Sequence, residues 1–333
     1  MKSGILVRFT LVAVVAGAVF ACSKSTYTAS NNAANETTAI MQTQADDQAR
    51  VSVETDAALD DVNLAMASDS SVIGAGTLSR YGVTINGGSA SSLICDATID
   101  TSSTDSTHTI TITYNGTTGC SAYRTRTGTI VVSVPDTVSW GSTDSATITV
   151  NIQNLKITRI SDGKFITLNG TRIYKNISGG TLSELMSGTD TVLVHSDSCY
   201  NMQVTFDDGT QRSWSAWRQR TFTYANQDLS IATLGLYNNG GHSGLSEWGT
   251  TRQGLAFATQ IISPLTVQSS CSYQLTNGEL SIIRSDIVTY LTFGLTSAGD
   301  TATSCPGSGS FYYYQAQWVI ASTDSTKTYI APY

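Results

Sequence analysis

The chain has 333 residues, 40% hydrophobic and only 13% charged, with a net charge of −7 and a sequence pI near 4.8. That length accommodates one large or two ordinary domains. The acidic balance argues against nucleic acid as a partner, because phosphates demand clustered Lys and Arg.

The first 22 residues read as a secretory leader. Lys2 and Arg8 supply the positive start, Phe9 to Phe20 the apolar core, and Val19-Phe20-Ala21-Cys22 the end. That ending resembles the bacterial lipobox, in which cleavage falls before the cysteine and the cysteine is acylated. Residues 1–21 are then a lipoprotein signal peptide, Cys22 is the lipidation site, and the partner is a membrane. The other reading is an ordinary leader cut after Ala21, leaving Cys22 a free thiol. No later run is apolar for the ~18 residues a spanning helix needs. Surface-exported lipoproteins of this kind tend to carry acids just after the lipidated cysteine, whereas here Ser23-Lys24-Ser25-Thr26 follows and no acid appears before Glu36. The resemblance therefore implies the periplasmic face of an outer membrane slightly over the surface face, with both open.

Residues 22–73 read as an acidic tether. Loss of Lys2 and Arg8 with the leader takes the net charge from −7 to −9. Glu36, Asp46, Asp47, Glu54, Asp56, Asp60, Asp61 and Asp69, against Lys24 and Arg50, hold −6 of it. The Ser, Thr, Asn and Ala of 23–45 show no apolar period and suggest a flexible segment. From about Asp47 to Met66, Val51, Ala58, Leu59, Val62 and Met66 make one helical stripe with the acids elsewhere. The alternative is a disordered acidic spacer.

After Gly74-Ala75-Gly76 the pattern turns to β. Few charges, abundant Thr and 4 Pro against 28 Gly suit a secreted all-β body with many turns. Leu93, Cys95, Ala97 and Ile99 alternate with smaller or polar residues, as do Ile110, Ile112 and Tyr114, then Ile130, Val132 and Val134. A period of two puts each set on one face of a strand. Asn86-Gly87, Asn115-Gly116, Asp162-Gly163, Asn169-Gly170, Asp208-Gly209 and Asn277-Gly278 are hairpin signals, since both dipeptides tolerate the positive φ of tight turns. The expected architecture is antiparallel, hairpin-rich and β-sandwich-like, with a short helix before it. A helical turn is expected at Leu182–Met186.

A weak internal repeat runs through this region. Ile110–Val134 reads strand, turn, polar-aromatic segment, Arg124-Thr-Arg126, strand; Met202–Tyr224 reads strand, Asp208-Gly209, Trp214 and Trp217, Arg218-Gln-Arg220, strand. Two β units, 74–187 and 188–333, are the simplest account, and one elongated body is the alternative. The aromatic run Phe311 to Ser322, with Tyr312, Tyr314, Ala316, Trp318 and Ile320 on one face, is expected to close a sheet.

Three stretches carry a family resemblance. They are Cys95…Ile110-Thr-Ile-Thr…Cys120…Arg124-Thr-Arg126-Thr-Gly-Thr-Ile, then Leu168-Asn-Gly-Thr-Arg172, then Trp248-Gly-Thr-Thr-Arg252-Gln-Gly254 with Ser263-Pro264-Leu265 and a late cysteine pair. From about residue 93 onward the pattern resembles a group of Bacteroidota envelope lipoproteins of no assigned function. The chain departs from it at Ser121-Ala-Tyr123, where relatives tend to show Asp-Gly. The resemblance implies an outer-membrane lipoprotein and brings no catalytic residue.

Five cysteines remain beyond Cys22, in a compartment that permits disulfides. About fifteen arrangements of two pairs are open. Cys95–Cys120 is favoured because the hairpin at 93–114 returns both to one end, and Cys271–Cys305 by the same argument; reduced thiols are the alternative. His195, Asp197 and Cys199 share one strand face and are chemically able to hold zinc, but a polar outer face with one buried thiol accounts for them without metal. Gly241-His242-Ser243-Gly244 lacks the glycine spacing of a nucleophile elbow, having Leu245 where Gly is needed. Asp207-Asp208-Gly209 is explained by a turn. No catalytic constellation, cofactor or metal is expected, so the chain reads as a non-enzyme of structural or adhesive role.

The alternative is a module for glycans or other envelope and host polymers, using Trp214, Trp217 and Trp248. Trp214 and Trp217 are three apart, so on one regular strand at least one points outward. Six sites also match an Asp-(Ser/Thr)-apolar-or-Thr pattern resembling a Bacteroidota O-glycosylation signal. They begin at Asp105, Asp136, Asp144, Asp190, Asp300 and Asp324.

Overall fold

The computed structural model describes residues 31–68, 78–80, 83–85, 94–118, 120–121, 123–141, 145–239, 241–307, 310–320 and 325–333. The leader and Cys22 lie outside them, as do Asn86-Gly87, Asp144 and Asp324. Helix α1 spans Asn31–Ser68. A small antiparallel pair follows, β1 (Leu78–Arg80) with β2 (Val83–Ile85). Then come β3 (Ala97–Ser103), β4 (Thr107–Asn115), β5 (Arg124–Pro135), β6 (Ala146–Arg159), β7 (Phe165–Asn176) and the short helix α2 (Leu182–Ser187). The second half holds β8 (Leu193–Phe206), β9 (Gln211–Ala225), β10 (Asp228–Gly235), β11 (Tyr237–Asn239), β12 (His242–Thr250) and β13 (Ala256–Gln268). It ends with β14 (Gln274–Ile283), β15 (Val288–Leu295), β16 (Tyr313–Ile320) and β17 (Ser325–Pro332).

The all-β, antiparallel, hairpin-rich class expected from the sequence is what the chain adopts, with an N-terminal helix. From β3 to β10 each strand pairs with the next, β10 pairs with β13, and β13 to β17 continue in order. β12, carrying β11 on one side, also pairs with both β9 and β13. The division expected at residue 187 is not present in the sheet. β7 and β8 pair from Ile166↔Phe206 to Asn176↔His195, straight across it. The two repeated units are the β4–β5 and β8–β9 hairpins of one sheet. Both expected disulfides form, Cys95–Cys120 with Cα atoms 5.5 Å apart and Cys271–Cys305 at 5.2 Å.

The largest departure concerns α1. It begins at Asn31, inside the segment read as flexible, and from Gln44 to Ala67 it is buried on nearly every side instead of along one stripe. Val51, Ala58, Leu59, Val62 and Met66 are in the core, as predicted, but so are Asp47, Asp56, Asp60 and Asp61. The sheet wraps the helix lengthwise. In the fourth and fifth turns of the helix, Gln44 accepts from Arg284 of the β14–β15 turn and Asp47 holds Arg252 of the β12–β13 turn. Near its other end Asn63 donates to Tyr174 Oη on β7 at 2.7 Å. Alanines at 45, 49, 58 and 65 let the strands approach closely, while each fully buried Val, Leu or Met contributes about 1.5–3 kcal/mol. Among the described residues no helix is long and apolar enough to cross a membrane.

The turn signals split into two kinds. Asp162-Gly163 and Asp208-Gly209 close the β6–β7 and β8–β9 turns, and Asn115-Gly116 begins the longer β4–β5 connection. Asn169-Gly170 and Asn277-Gly278 instead lie inside β7 and β14, at register shifts. A Cβ on Gly170 would stand 2.7 Å from the Met202 side chain, and one on Gly278 would stand 2.8 Å from the Leu265 backbone. There the glycine serves close approach at a bulge. The aromatic run ending the sequence is also not the last strand: β16 buries Tyr314, Ala316 and Trp318, and β17 pairs outside it.

Candidate functional site

The inner face of the sheet meets α1 through charge. The two arginine pairs of the internal repeat both point at the helix. Arg124 pairs with Glu54 at 3.0 Å and Arg126 with Asp61 at 2.6 Å; Arg218 pairs with Asp56 at 2.8 Å and Arg220 with Asp60 at 2.7 Å. Alternate positions of a strand share a face, so an Arg-x-Arg run presents two guanidinium groups to the interior. Arg126 also takes Asp96 with two donors, and Arg218 lies within reach of Asp197 and Glu247. The acids read as a solvated tether are thus the counter-ions of the sheet's arginines. Burial lifts the Asp60 carboxyl to about 6 despite Arg220 beside it. Burial works to raise Asp197 as well, but the charges of Arg172, Arg218 and Arg220 outweigh it and hold that carboxyl below the usual range. Buried ion pairs add little net stability, because desolvation offsets attraction. Their geometric effect here is to give the helix one depth and one rotation inside the sheet.

His195, Asp197 and Cys199 do share one face of β8, and it is the inner face, not the polar outer face expected. They do not converge. His195 is packed among Trp140, Tyr174 and Phe222. Asn63 donates into Tyr174 Oη, which leaves the tyrosine hydroxyl free to donate to His195 Nδ1 at 2.7 Å. Burial and the Arg220 charge drop the imidazole to about 3, so it is neutral. Asp197 is engaged by Arg172 and Arg218. Burial pushes the Cys199 thiol up to about 11, which makes it a packing residue rather than a nucleophile. Among the described residues no group of three His, Cys, Asp or Glu is placed to hold a metal.

The three tryptophans singled out in the sequence separate by face. Trp214 is fully buried, its indole N–H donating to Glu247 Oε2 at 2.9 Å. Trp217 points outward and is 40% exposed. Trp248, on β12 beside it, is half-buried on the same outer face. Two tyrosines that sequence reasoning missed complete the cluster. Tyr237 stacks on Trp248 with centroids 4.4 Å apart and lies 6.3 Å from Trp217, while Tyr200, 67% exposed, meets Trp248 edge-on at 6.0 Å. Four rings from β8, β9, β11 and β12 form one outward row. The missed signal is weak: Tyr200 sits at the Cys199/Met202 register shift, which re-aims its side chain, and Tyr237 is in a three-residue strand. Ser198, paired opposite Trp217, and Gln219, two residues beyond it, border the row with hydrogen-bonding groups.

The remaining motifs take simple roles. His242 and Ser243 are exposed at the start of β12, and Tyr312 and Tyr314 are core. Asp208 accepts from Thr210 N at 2.9 Å within its turn and from Arg252 Nη1 at 2.8 Å, a turn residue as expected. Of the sequence sites that resemble a glycosylation signal, Ser106, Thr137, Thr191 and Thr301 are all exposed. In comparisons with protein-family models, curated proteins and solved structures, nothing matches this chain.

Proposed function

We propose that this chain is a non-enzymatic, lipid-anchored envelope protein that binds a glycan or a related polymer through the Trp217–Tyr237–Trp248–Tyr200 row. The observation that carries the reading is the row itself. The outer face gathers four rings at one place and leaves Tyr200 and Trp217 among the exposed large side chains. Exposed aromatic clusters of this kind suit partners with an apolar face and a polar edge, which is the chemistry of a sugar ring. The hydroxyl and carboxamide groups beside the rings suit the same partner. An adhesive role toward envelope or host polymers follows from such a surface.

The leader and Cys22 support the anchor, and several acyl chains would hold it durably at ~0.8 kcal/mol per buried CH₂. Nine residue steps separate Cys22 from Asn31, a reach of at most roughly 32 Å, so a lipidated chain keeps its body close to the bilayer. Labelled palmitate should enter the chain in its host and fail to enter a Cys22→Ser variant. For the binding surface, the soluble Cys22→Ser chain should be retained by at least one insoluble polysaccharide or array glycan. The Trp217→Ala/Trp248→Ala double variant should lose that retention with its circular dichroism unchanged. Retention equal in the two chains would sink the reading.

A further inference from the structure

The strands that carry the ring row sort their charges by face. On β8, β9, β11 and β12 every Asp, Glu, Lys and Arg, namely Asp197, Arg212, Arg218, Arg220 and Glu247, is at most 3% exposed and lies on the side of α1. The outward positions are Ser196, Ser198 and Tyr200 on β8, and Ser213, Trp217, Gln219 and Thr221 on β9. On the neighbouring β7, Lys175 is half-buried and stands opposite Ser196, which pairs in turn with Gln219.

The row also sits where the strand order breaks. β10 accompanies β9 from Asp228↔Ala225 to Gly235↔Arg218, and β12 takes over from Glu247↔Ala216 to Gly249↔Trp214. Between them the chain makes the β11–β12 hairpin, in which β11 pairs only with β12. The crossing is tight: a Cβ on Gly235 would stand 2.2 Å from the Gly244 carbonyl oxygen. Gly244 N–H donates to Asn238 Oδ1 at 3.2 Å, and Gln260 Nε2 donates to the Ser243 carbonyl at 2.9 Å. The excursion sets Tyr237 onto Trp248 and leaves Asn238, Asn239, His242 and Ser243 exposed beyond it.

Resting on the glycan reading above, we propose that the row takes a neutral glycan and rejects uronate- and sulfate-bearing ones. The rings meet the apolar face of a sugar, while Ser198, Gln219 and Asn239 offer uncharged hydrogen bonds to its hydroxyls. An anionic sugar would give up hydration here without gaining a counter-charge. The arginines of β9 are turned away and engaged by Asp56, Asp60 and Gln48. At longer range the chain's net charge of −7 repels a polyanion as well.

The test is retention of the full Cys22→Ser chain on polysaccharide-coupled beads at low and high salt. Hydroxyethylcellulose, mannan and xyloglucan are the neutral probes, and polygalacturonate, hyaluronate and heparin the acidic ones. Retention by at least one neutral probe is expected, held within about twofold at high salt because no ion pair carries it. Every acidic probe should be retained at least about tenfold less, the cost of leaving a charged group unpaired. Lys175→Gln should leave the neutral retention unchanged. An acidic probe held as tightly as the best neutral one, or retention that high salt or Lys175→Gln abolishes, overturns the proposal. If the Trp217→Ala/Trp248→Ala variant loses that acidic retention, the glycan reading survives the proposal's failure. No retention by any probe at either salt overturns both.

Discussion

Along β9 the even-numbered residues face α1 and the odd-numbered ones face outward, and the two sets are held in different ways. Arg212, Trp214, Arg218, Arg220 and Phe222 are buried, and each of the polar side chains among them is met at one or more atoms by groups from distant parts of the chain: Gln48, Asp56, Asp60 and Glu247. On the other face Ser213, Trp217, Gln219 and Thr221 sit among short polar neighbours, with Trp217 left partly open. The charged groups of the inner face of β9 at Arg218 and Arg220 are each matched by a carboxylate of α1. The aromatic groups of the outer row meet only one another among the described ring contacts, and Trp217 and Tyr200 stay 40% and 67% exposed.

The largest effect should come from breaking the inner set. Asp60→Asn removes the carboxylate that Arg220 meets at 2.7 Å and should cost about 3–5 kcal/mol in urea unfolding. Combining it with Asp56→Asn and Asp61→Asn should deepen the loss, by less per residue because Arg218 keeps Asp197 and Glu247 and Arg126 keeps Asp96, and should bring it within the roughly 5–15 kcal/mol that holds a typical domain. If the triple variant keeps a wild-type transition, the helix is not held by these pairs. Asp60→Leu with Arg220→Met should recover most of the single-variant loss, because the buried charge goes with its partner.

His195 should dominate a second inner effect. Its imidazole titrates near 3 in the fold against 6.5 when unfolded. The unfolded chain therefore binds the extra proton between those values, and stability present above pH 6.5 is lost as pH falls toward 3, by about 5 kcal/mol in total. Asp60, raised to about 6, works in the opposite sense between about 3.8 and 6 and masks the loss in wild type. The clean readout is the His195→Phe variant, whose stability relative to wild type should rise as pH falls from 7 to 3. A pH-independent difference would show that the ring is not buried neutral.

The smallest effect sharpens the two-face contrast with a single residue type. Trp214→Ala should cost about 3–5 kcal/mol, whereas Trp217→Ala should stay near or below 1 kcal/mol on an open face. Chemical denaturation of the two variants side by side decides it; equal losses would mean that the outer row is structural.

How much of this was legible in the sequence depends on the range of the interaction. The period of two placed Ile110, Ile112, Ile130 and Val132 correctly in the core, because strand geometry alone fixes which residues share a face. Both cysteine pairs follow from hairpins that return the chain on itself. The Arg-x-Arg repeat was visible as a pattern, and its opposition of Trp214 and Trp217 followed from their spacing. The stripe of Val51, Leu59, Val62 and Met66 was equally plain.

Its acids misled because charge is ordinarily a mark of solvent, and nothing within α1 says otherwise. Asp60 and Arg220 stand 160 residues apart in sequence and meet only when the sheet has wrapped the helix. Tyr200 joined the outer row through a register shift, and Asn169-Gly170 became a bulge instead of a turn, through pairings made with other strands. Which side chains lie on the same face of each element can be read from residue order alone, since local backbone geometry sets it. What each face meets was decided by the tertiary structure, since a buried charge is tolerable only where its counter-charge arrives from elsewhere in the chain.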